Sequence, residues 1–290
     1  MPRTIDVGFS DFLKKLTPSS AESAGAQSHR ASIQSCLRAA YTLKRFARIG
    51  SFGNGTSIYG YSDVDYIAVL SNSDFSTNSS TSLAGIRGTL DRRFPSTGVF
   101  VDCPAIVCPF AGTAADQTEI VPAYIQDSSG PQPIYGIPDC AGGWKLASPD
   151  AHNAYVHRVD QKHGGRLKSL IRFIKAWKIY RGVPISSFYL ELRATLYADS
   201  EASIVYPIDL NRFFALLWDK QLASLRDPAG ISGLISACPS AAKREDALSK
   251  LASALTRSEK ARDAERAGNT SDAFDWWRMV YDQQFPTYYY

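Results

Sequence analysis

Apolar and polar residues change their spacing several times along the first third of the chain. Residues 19–48 carry apolar side chains at three- and four-residue intervals after a Pro-Ser start signal, which predicts one long helix. Residues 50–56 contain three glycines, too many for a helix interior, and predict a loop. Residues 62–70 alternate between two faces and are rich in β-branched and aromatic side chains. This segment predicts a strand that begins with Asp63 and Asp65 on one face.

The segments that follow mix a helix with further strands. A helix is predicted over residues 83–94, and strands are predicted over residues 98–110 and 118–125 with a turn at residues 112–116. Residues 126–149 are rich in Pro, Gly and Ser and keep no sustained period, which predicts an irregular crossing between two lobes.

The second half of the chain has helical spacing almost throughout. The clearest pattern covers residues 166–181, and Gly182 and Pro184 end it. Further helices are predicted over residues 187–197, 209–226, 241–267 and 271–283. We therefore predict two domains: residues 1–145, with the sheet and the long N-terminal helix, and residues 146–290, which are mainly helical.

Composition and charge exclude several classes of protein. Of the 290 residues, 44% are hydrophobic and 21% are charged, as in an ordinary folded protein with room for two cores. The longest apolar runs fall far short of the roughly 20 residues that cross a bilayer, and the N-terminus lacks a secretory pattern. We therefore predict a cytoplasmic protein without a membrane segment. The net charge of +4 suits an anionic substrate, but stable binding to nucleic acid is not expected.

The five cysteines are scattered along the chain without CxxC spacing. An odd number in this arrangement argues against a disulfide framework and against a thiolate zinc site. We predict that all five are reduced and serve as small core residues.

Asp63 and Asp65 carry the first sign of a chemical site. Carboxylates two positions apart on a strand project from the same face, where their oxygens can bind a hard cation such as Mg²⁺. A third acid on a neighbouring strand would complete a two-metal site. Two such ions can activate an attacking hydroxyl and neutralise a pyrophosphate leaving group, which is the chemistry of phosphoryl transfer.

A glycine-rich segment stands shortly before these acids. Gly50 supplies backbone that phosphates can approach closely and Ser51 adds a hydroxyl, while Gly53 and Gly55 permit the turn. Alone, the glycines would indicate a turn, and the Asp-Val-Asp sequence would indicate a solvated strand start. Joined in this order and followed by an apolar strand, they form a much more specific pattern.

With these motifs the chain resembles the bacterial cGAS/DncV-like nucleotidyltransferases, also called the SMODS family, which are relatives of cyclic GMP-AMP synthase and oligoadenylate synthase. The matching positions span most of the chain and follow the family's order. They are Gly50-Ser51, 53–56, Asp63-Val64-Asp65, 119–123, Gly142-Gly143-Trp144, 170–177, Ser186-Ser187, Trp277 and Phe285-Pro286.

The resemblance implies an α+β fold: a polymerase β-like nucleotidyltransferase lobe with a mixed sheet, a helical second lobe, and an active site in the cleft between them. It implies nucleoside triphosphate substrates, two Mg²⁺ ions with Mn²⁺ as an alternative, and a cyclic di- or trinucleotide product. In such families this second messenger activates an antiphage effector. The positions that would hold nucleotide phosphates are Gly50, Ser51, Thr56, Lys175 and Ser187.

The third acid is also assigned through the resemblance. The family pattern of an acid, two apolar residues and Pro-Ala falls on Glu119 in this chain, where aspartate is more usual. Glu119 is therefore the expected third catalytic and metal-binding carboxylate beside Asp63 and Asp65. Asp116 and Asp102 are the alternatives.

Two other interpretations stay open. The same metal core serves nucleotidyltransferases that modify an RNA 3′ end or a small molecule. A degenerate transferase that only binds nucleotides is a third class, and the glutamate at position 119 is the feature that favours it. Similarly, Lys168, Arg172 and Lys175 form a basic stripe on the predicted helix, which is either a phosphate contact or a solvated face.

Overall fold

The computed structural model describes residues 3–19, 29–110 and 117–289. The helices and strands follow one another along the chain as α1 (Ile5–Leu16), α2 (Arg30–Ala40), β1 (Arg45–Arg48), α3 (Gly50–Asn54), β2 (Val64–Val69), a 3₁₀ turn (Asn72–Asp74), α4 (Ser79–Arg93), β3 (Phe100–Asp102), β4 (Ala105–Pro109), β5 (Gln117–Asp127), β6 (Ile134–Pro138), β7 (Trp144–Ala147), α5 (Pro149–Lys162), α6 (Arg166–Tyr180), α7 (Ser187–Ser200), α8 (Tyr206–Asp219), β8 (Leu225–Arg226), β9 (Leu234–Ile235), α9 (Ala241–Arg266) and α10 (Thr270–Val280).

The chain divides into two units, which we call the sheet unit and the helical unit. The sheet unit is Pro18–Ala154 with Ala229–Ser232, and the helical unit is Met1–Thr17, Tyr155–Pro228 and Gly233–Tyr290. These units differ in three places from the division at residues 145 and 146. Helix α1 groups with the helical unit, whereas residues 146–154, which include the first part of α5, and Ala229–Ser232 group with the sheet unit.

The sheet unit is built on a mixed sheet in the order β1-β2-β5-β4-β3. β2 and β5 run parallel, while β1 is antiparallel to β2, and β4 is antiparallel to both β5 and β3. β5 is long enough to pair with β6 as well, and β7 pairs with β6. The predicted α+β class with a mixed sheet is confirmed.

Strand β2 separates two apolar clusters, one on each face of the sheet. The even-numbered positions of this segment join apolar residues of α2 and α4: Val64, Tyr66, Ala68, Leu70, Ile33, Leu37, Leu83, Ile86 and Leu90. Ile67 and Val69 pack on the other face with Ala123 and Tyr135. The alternation predicted for this strand is therefore confirmed. A one-residue slip would exchange the two faces, so burial on both sides fixes the register that presents the acids.

The helical unit is held by aromatic side chains from distant parts of the chain. Phe9 of α1 contacts Phe173 of α6 and Trp277 of α10 edge to face, with both pairs of ring centroids 5.1 Å apart. All three side chains are fully buried, and burial of such a side chain contributes about 1.5 to 3 kcal/mol. Among the described helices, none is both long and apolar enough to cross a bilayer.

The prediction of one long helix over residues 19–48 is wrong for the second part of this segment. Helix α2 ends at Ala40, and β1 follows as a strand antiparallel to β2. A strand of four residues is too short to show a clear alternation in the sequence, and it exists here because it pairs with β2. Residues 20–28 lie outside the described residues.

The glycine-rich segment is not the loop that its composition predicted. Helix α3 occupies Gly50–Asn54, with Gly50 at φ +58° and Gly55 at φ +70°. The N–H of Gly55 donates to the carbonyl of Ser51 and ends the helix. The two glycines permit the left-handed backbone at the start and end of this short helix, which other residues rarely adopt.

The interval 126–149, predicted to be irregular, contains two strands. β6 and β7 form a hairpin that extends the sheet from the second part of β5. Likewise, residues 98–110 form two antiparallel strands, β3 and β4, rather than one. The turn predicted at residues 112–116 lies in the part of the chain that is not described.

The remaining predicted helices are confirmed with shifted ends, whereas α1 and α5 were not predicted. α4 begins four residues before its predicted start, at Ser79, because the side chain of Asn78 accepts hydrogen bonds from the N–H groups of Ser80 and Thr81. α8 ends at Asp219, and the last residues of its predicted range form β8.

The prediction that all five cysteines are reduced is wrong. Cys103 and Cys140 form a disulfide, whereas Cys36, Cys108 and Cys238 are free thiols. The two partners are 37 residues apart in sequence and meet only because their hairpins converge.

Candidate active site

Asp63 and Asp65 stand at the beginning of strand β2. Asp65 is the second residue of the strand and Asp63 comes immediately before it. Both are half-buried, and Val64 between them is fully buried in the core. The apolar strand therefore anchors the two acids at a fixed position beside the solvent.

Glu119 lies on the neighbouring strand, opposite these acids. In the parallel pairing of β2 with β5, Asp65 is the direct partner of Glu119. The side chain of Glu119 also shares a hydrogen bond with Asp63. The neighbouring strand thus brings the predicted third acid to the first two. Asp116, one of the two alternatives, lies outside the described residues.

The local electrostatics at Glu119 favour its neutral form. Burial, the charge of Asp63, the hydrogen bond to Asp63 and the charge of Asp102 raise its pKa to about 7. Only the hydrogen bond from Gln117 acts in the other direction, with its Nε2 donating to Oε1 of Glu119 over 3.4 Å. The charged side chains that act on Glu119 are therefore carboxylates.

The start of α3 lies against Asp65. A Cβ atom on Gly50 would stand 1.9 Å from Oδ2 of Asp65, so only glycine fits at this position. The N–H of Ile49 donates to the backbone carbonyl of Asp65 over 2.9 Å. The predicted link between the glycine-rich segment and the acids is thus a direct contact.

Ser51 and Thr56 occupy different environments. Ser51 is half-buried, and its carbonyl accepts a hydrogen bond from the N–H of Thr56 over 2.8 Å. Thr56 is fully buried. The backbone of Thr56 therefore fastens the end of α3 to its start.

Lys175 and Ser187 belong to the helical unit. Lys175 is buried rather than placed on a solvated basic stripe, and its Nζ donates to Oε2 of Glu191 over 2.5 Å. Ser187 accepts a hydrogen bond from Nζ of Lys178 over 2.6 Å. Lys168 forms an ion pair with Asp160 at 3.8 Å. The predicted stripe of Lys168, Arg172 and Lys175 is thus not one solvated face, because Lys175 is buried and burial also lowers the pKa of Arg172.

Two further side chains near the acids are Gln117, which the sequence reasoning missed, and Asp102, which it considered only as an alternative. Gln117 contacts Glu119 because residues two apart on β5 share a face, a signal that was present in the sequence. Asp102, considered only as an alternative third acid, is exposed at the end of β3 and adds its charge to the cluster.

The donor chemistry of this cluster fits a divalent cation. Asp63, Asp65 and Glu119 offer only carboxylate oxygens, the ligands that Mg²⁺ prefers. Within the described ranges, however, no three acidic, histidine or cysteine side chains are already arranged as a ligand set.

Comparison with known proteins identifies the family. The model of the Second Messenger Oligonucleotide or Dinucleotide Synthetase domain matches residues 4–159. A probable cyclic nucleotide synthase from Bacillus cereus (strain VD146) is 30% identical over 176 residues, which is 59% of this chain and 52% of that protein. The match thus spans about half the length of this curated relative.

Solved structures show the same fold at low sequence identity. CdnC from Escherichia coli MS115-1, solved with ATP, has a TM-score of 0.76 and 17% identity, covering 96% of this chain and 98% of its own. CdnG from Bradyrhizobium diazoefficiens, a CD-NTase solved with GTP, has a TM-score of 0.74 and 12% identity, covering 97% and 96%. The polymerase β-like fold is therefore confirmed. Because the family model covers more than half of the chain and includes Gly50, Asp63, Asp65 and Glu119, the chain belongs to the SMODS family of second messenger oligonucleotide or dinucleotide synthetase domains.

Proposed function

We propose that the chain is a template-independent nucleotidyltransferase that joins nucleoside triphosphates into a cyclic di- or trinucleotide. The observation that carries the proposal is the placement of Asp65 opposite Glu119 across two parallel strands, with Asp63 hydrogen-bonded to Glu119. Three carboxylates at the same ends of two strands repel one another, and their charge is best balanced by cations.

Asp63, Asp65 and Glu119 are the proposed ligands of two Mg²⁺ ions, for which Mn²⁺ could substitute. When bound, these ions lower the pKa of the attacking hydroxyl and neutralise the departing pyrophosphate. The protein's own contribution is to fix the three carboxylates. The buried register of β2 and its pairing with β5 hold them in place before substrate arrives.

Gly50 and Ser51 are the proposed contacts for the triphosphate beside the acids. Gly50 has no side chain and touches Asp65, so a phosphate group can approach the backbone close to the carboxylates. The Ser51 hydroxyl would donate to a phosphate oxygen. Thr56 would act through the hydrogen bond that it makes with Ser51, which holds the short helix together.

Lys175 and Ser187 are the proposed contacts from the helical unit. A lysine ammonium paired with a carboxylate can still donate to a phosphate, because it has three N–H groups. Lys175 therefore keeps its bond to Glu191 in this proposal and offers a second N–H to the triphosphate. Ser187, which accepts from Lys178, would donate its own proton to a phosphate oxygen.

The relatives point to the class of substrate and product. The Bacillus cereus protein is described as a probable cyclic nucleotide synthase, and the structures of CdnC and CdnG contain ATP and GTP. By analogy we propose nucleoside triphosphates as substrates and a cyclic product made in the cytoplasm. This product would bind an effector protein in antiphage defence.

The proposal is tested by identifying the product. Purified protein is incubated with labelled ATP, GTP, CTP and UTP, singly and mixed, in Mg²⁺ or Mn²⁺, and the products are treated with phosphatase. We expect a labelled product that resists phosphatase and whose mass is that of a cyclic oligonucleotide. Label transferred only to added RNA or to a small acceptor, or no transfer under any condition, would contradict the proposal.

A further inference from the structure

A disulfide between Cys103 and Cys140 joins two hairpins of the sheet unit. Cys103 lies in the turn between β3 and β4, and Cys140 lies in the turn between β6 and β7. β4 pairs with the first part of β5 and β6 pairs with its last part, so the start of β4 and the end of β6 converge on the middle of β5. The Cα atoms of the cysteines are 5.7 Å apart, within the usual range for a disulfide.

The two cysteines differ in their exposure to solvent. Cys140 is exposed and Cys103 is half-buried. Cys140 has φ +70°, a left-handed conformation that is unfavourable for a residue with a side chain. Its turn is nevertheless held independently, because Oδ1 of Asp139 accepts from the N–H groups of Ala141 at 2.7 Å and Gly143 at 2.8 Å. Loss of the disulfide would therefore leave this turn in place.

The β3–β4 hairpin depends more on the bond. Within the described sheet, β3 is an edge strand that pairs with β4, and its three residues are exposed. Asp102 directly precedes Cys103, and its charge acts on Glu119. Val107 of β4 is the direct partner of Glu119 in the sheet. The disulfide thus holds the two strands that border the candidate active site.

We propose that Cys103 and Cys140 form a reversible thiol–disulfide site that controls how firmly the β3–β4 hairpin is held beside Glu119. The reductant is a dithiol, either a small molecule or a protein. Disulfides in reducing compartments are mostly transient and redox-sensing, as expected for the cytoplasm proposed above. The effect on nucleotide transfer rests on the proposed function, whereas the thiol chemistry does not.

The exchange follows from the difference in exposure. A thiolate of the dithiol attacks Sγ of Cys140, the bond between the two protein sulfurs breaks, and Cys103 leaves as a thiolate and takes up a proton. The second thiolate of the dithiol then attacks the dithiol sulfur that is bonded to Cys140. This attack closes the disulfide of the reductant, and Cys140 leaves as a thiolate and is protonated. Two electrons pass to the protein, and the dithiol becomes a disulfide.

The other three cysteines do not compete in this chemistry. Burial raises the pKa of the Cys108 thiol to about 12 and also raises the pKa values of Cys36 and Cys238. A raised pKa reduces the thiolate fraction, so these thiols react slowly near neutral pH. They serve as an internal reference when thiols are counted.

The first test counts thiols. Air-exposed native protein is incubated with or without dithiothreitol and then quenched with acid. The reductant is removed, and the protein is denatured and labelled with a maleimide. We expect three labels without dithiothreitol and five with it, because three of the five cysteines are free. The Cys103→Ser/Cys140→Ser variant is the control and should give three labels in both arms. Five labels without dithiothreitol would show that the disulfide does not form. Three labels in both arms, rising to five only when the reductant is added after denaturation, would show that the native bond cannot be reduced. Either result would overturn the proposal.

The second test measures how the disulfide affects hydrogen exchange in β3 and β4 and the rate of nucleotide transfer. Reduction should speed hydrogen exchange of the β3 and β4 amides roughly tenfold and leave β1 unchanged, because the constraint on the edge hairpin is lost. The double serine variant should behave like reduced protein with or without dithiothreitol, and both should transfer nucleotides more slowly than the oxidised protein. Unchanged exchange in β3 and β4 would overturn the proposal. If labels and exchange change as expected while neither form makes product, the proposed function fails and the thiol site stands.

Discussion

Asp65 and Glu119 lie opposite one another across the parallel pairing of β2 and β5, and the side chain of Asp63 bonds to the same glutamate. Neighbouring strands are about 4.8 Å apart, so this pairing keeps the carboxylates close whatever their side-chain rotamers. Such crowding of acids destabilises the folded state. Natural proteins are expected to contain destabilising arrangements of this kind mainly at functional sites. The predictions below follow from this relationship and from the contacts around it.

Glu119→Gln should abolish nucleotide transfer without unfolding the protein. The amide keeps the shape of the side chain but loses a negatively charged ligand, and a metal centre contributes several kcal/mol to the reaction, so we expect a loss above about a hundredfold. The melting temperature should stay the same or rise, because repulsion between Glu119 and Asp63 is removed. Transfer rates and thermal melts measure the two effects.

Asp102→Asn is the matched control for that substitution. Asp102 is exposed at the end of β3 and acts on Glu119 only through its charge, so most of the activity should remain. If Asp102→Asn were inactive and Glu119→Gln were active, the third metal ligand would be Asp102 of β3 rather than Glu119 of β5.

Gly50→Ala should impair transfer by displacing Asp65. The new Cβ would stand 1.9 Å from Oδ2 of Asp65, in addition to the cost of about 1 to 2 kcal/mol for a left-handed alanine. Gly60→Ala provides the control, since Gly60 has φ +75° and no atom within 4 Å of the added Cβ. Both variants should lose stability in urea titrations, Gly50→Ala more than Gly60→Ala because of the contact with Asp65, but only Gly50→Ala should lose activity. Equal activities would show that contact with Asp65 is unimportant.

Lys175→Ala should destabilise the protein by about 3 to 5 kcal/mol, because it leaves the buried carboxylate of Glu191 without its ammonium partner. The double variant Lys175→Met/Glu191→Leu should recover most of this stability, since neither charge then remains buried. Urea unfolding measures both. Arg266→Ala, which breaks the exposed pair with Asp263, should cost less than about 1 kcal/mol.

The same double variant separates the structural role of Lys175 from its proposed phosphate contact. The folded double variant lacks the ammonium, so kcat/KM for the triphosphate should fall about ten- to a hundredfold. Lys178 is unsuitable as a silent control because it donates to Ser187. Wild-type kinetics in the double variant would mean that Lys175 serves only to pair with Glu191.

The sequence predicted the parts of the site that depend on local pattern. The two-residue period of a strand placed Asp63 and Asp65 on one face of residues 62–70, and the apolar run after them indicated that both faces of β2 are buried. Glu119 was assigned only through the family pattern, since no local rule indicates which strand pairs with β2.

Features that depend on long-range pairing were not predictable in the same way. β1 has four residues and is recognisable only beside β2. The Cys103–Cys140 bond requires that two hairpins meet on β5, which the spacing of the cysteines does not reveal. Lys175 was predicted to contact phosphate or to lie on a solvated face, and neither interpretation included its ion pair with Glu191 of the next helix. In each case a contact between distant segments outweighed the local pattern.

The central claim is that Asp63, Asp65 and Glu119 hold the divalent cations of a nucleotidyltransferase, and Mn²⁺ binding tests it most directly. Electron paramagnetic resonance of free Mn²⁺ is recorded during titration of protein with a non-hydrolysable triphosphate analogue, for the wild type and for Asp63→Asn/Asp65→Asn. We expect about two ions bound per wild-type chain above the nucleotide-only control, and almost none in a folded double variant. Equal Mn²⁺ binding by the two proteins would contradict the account.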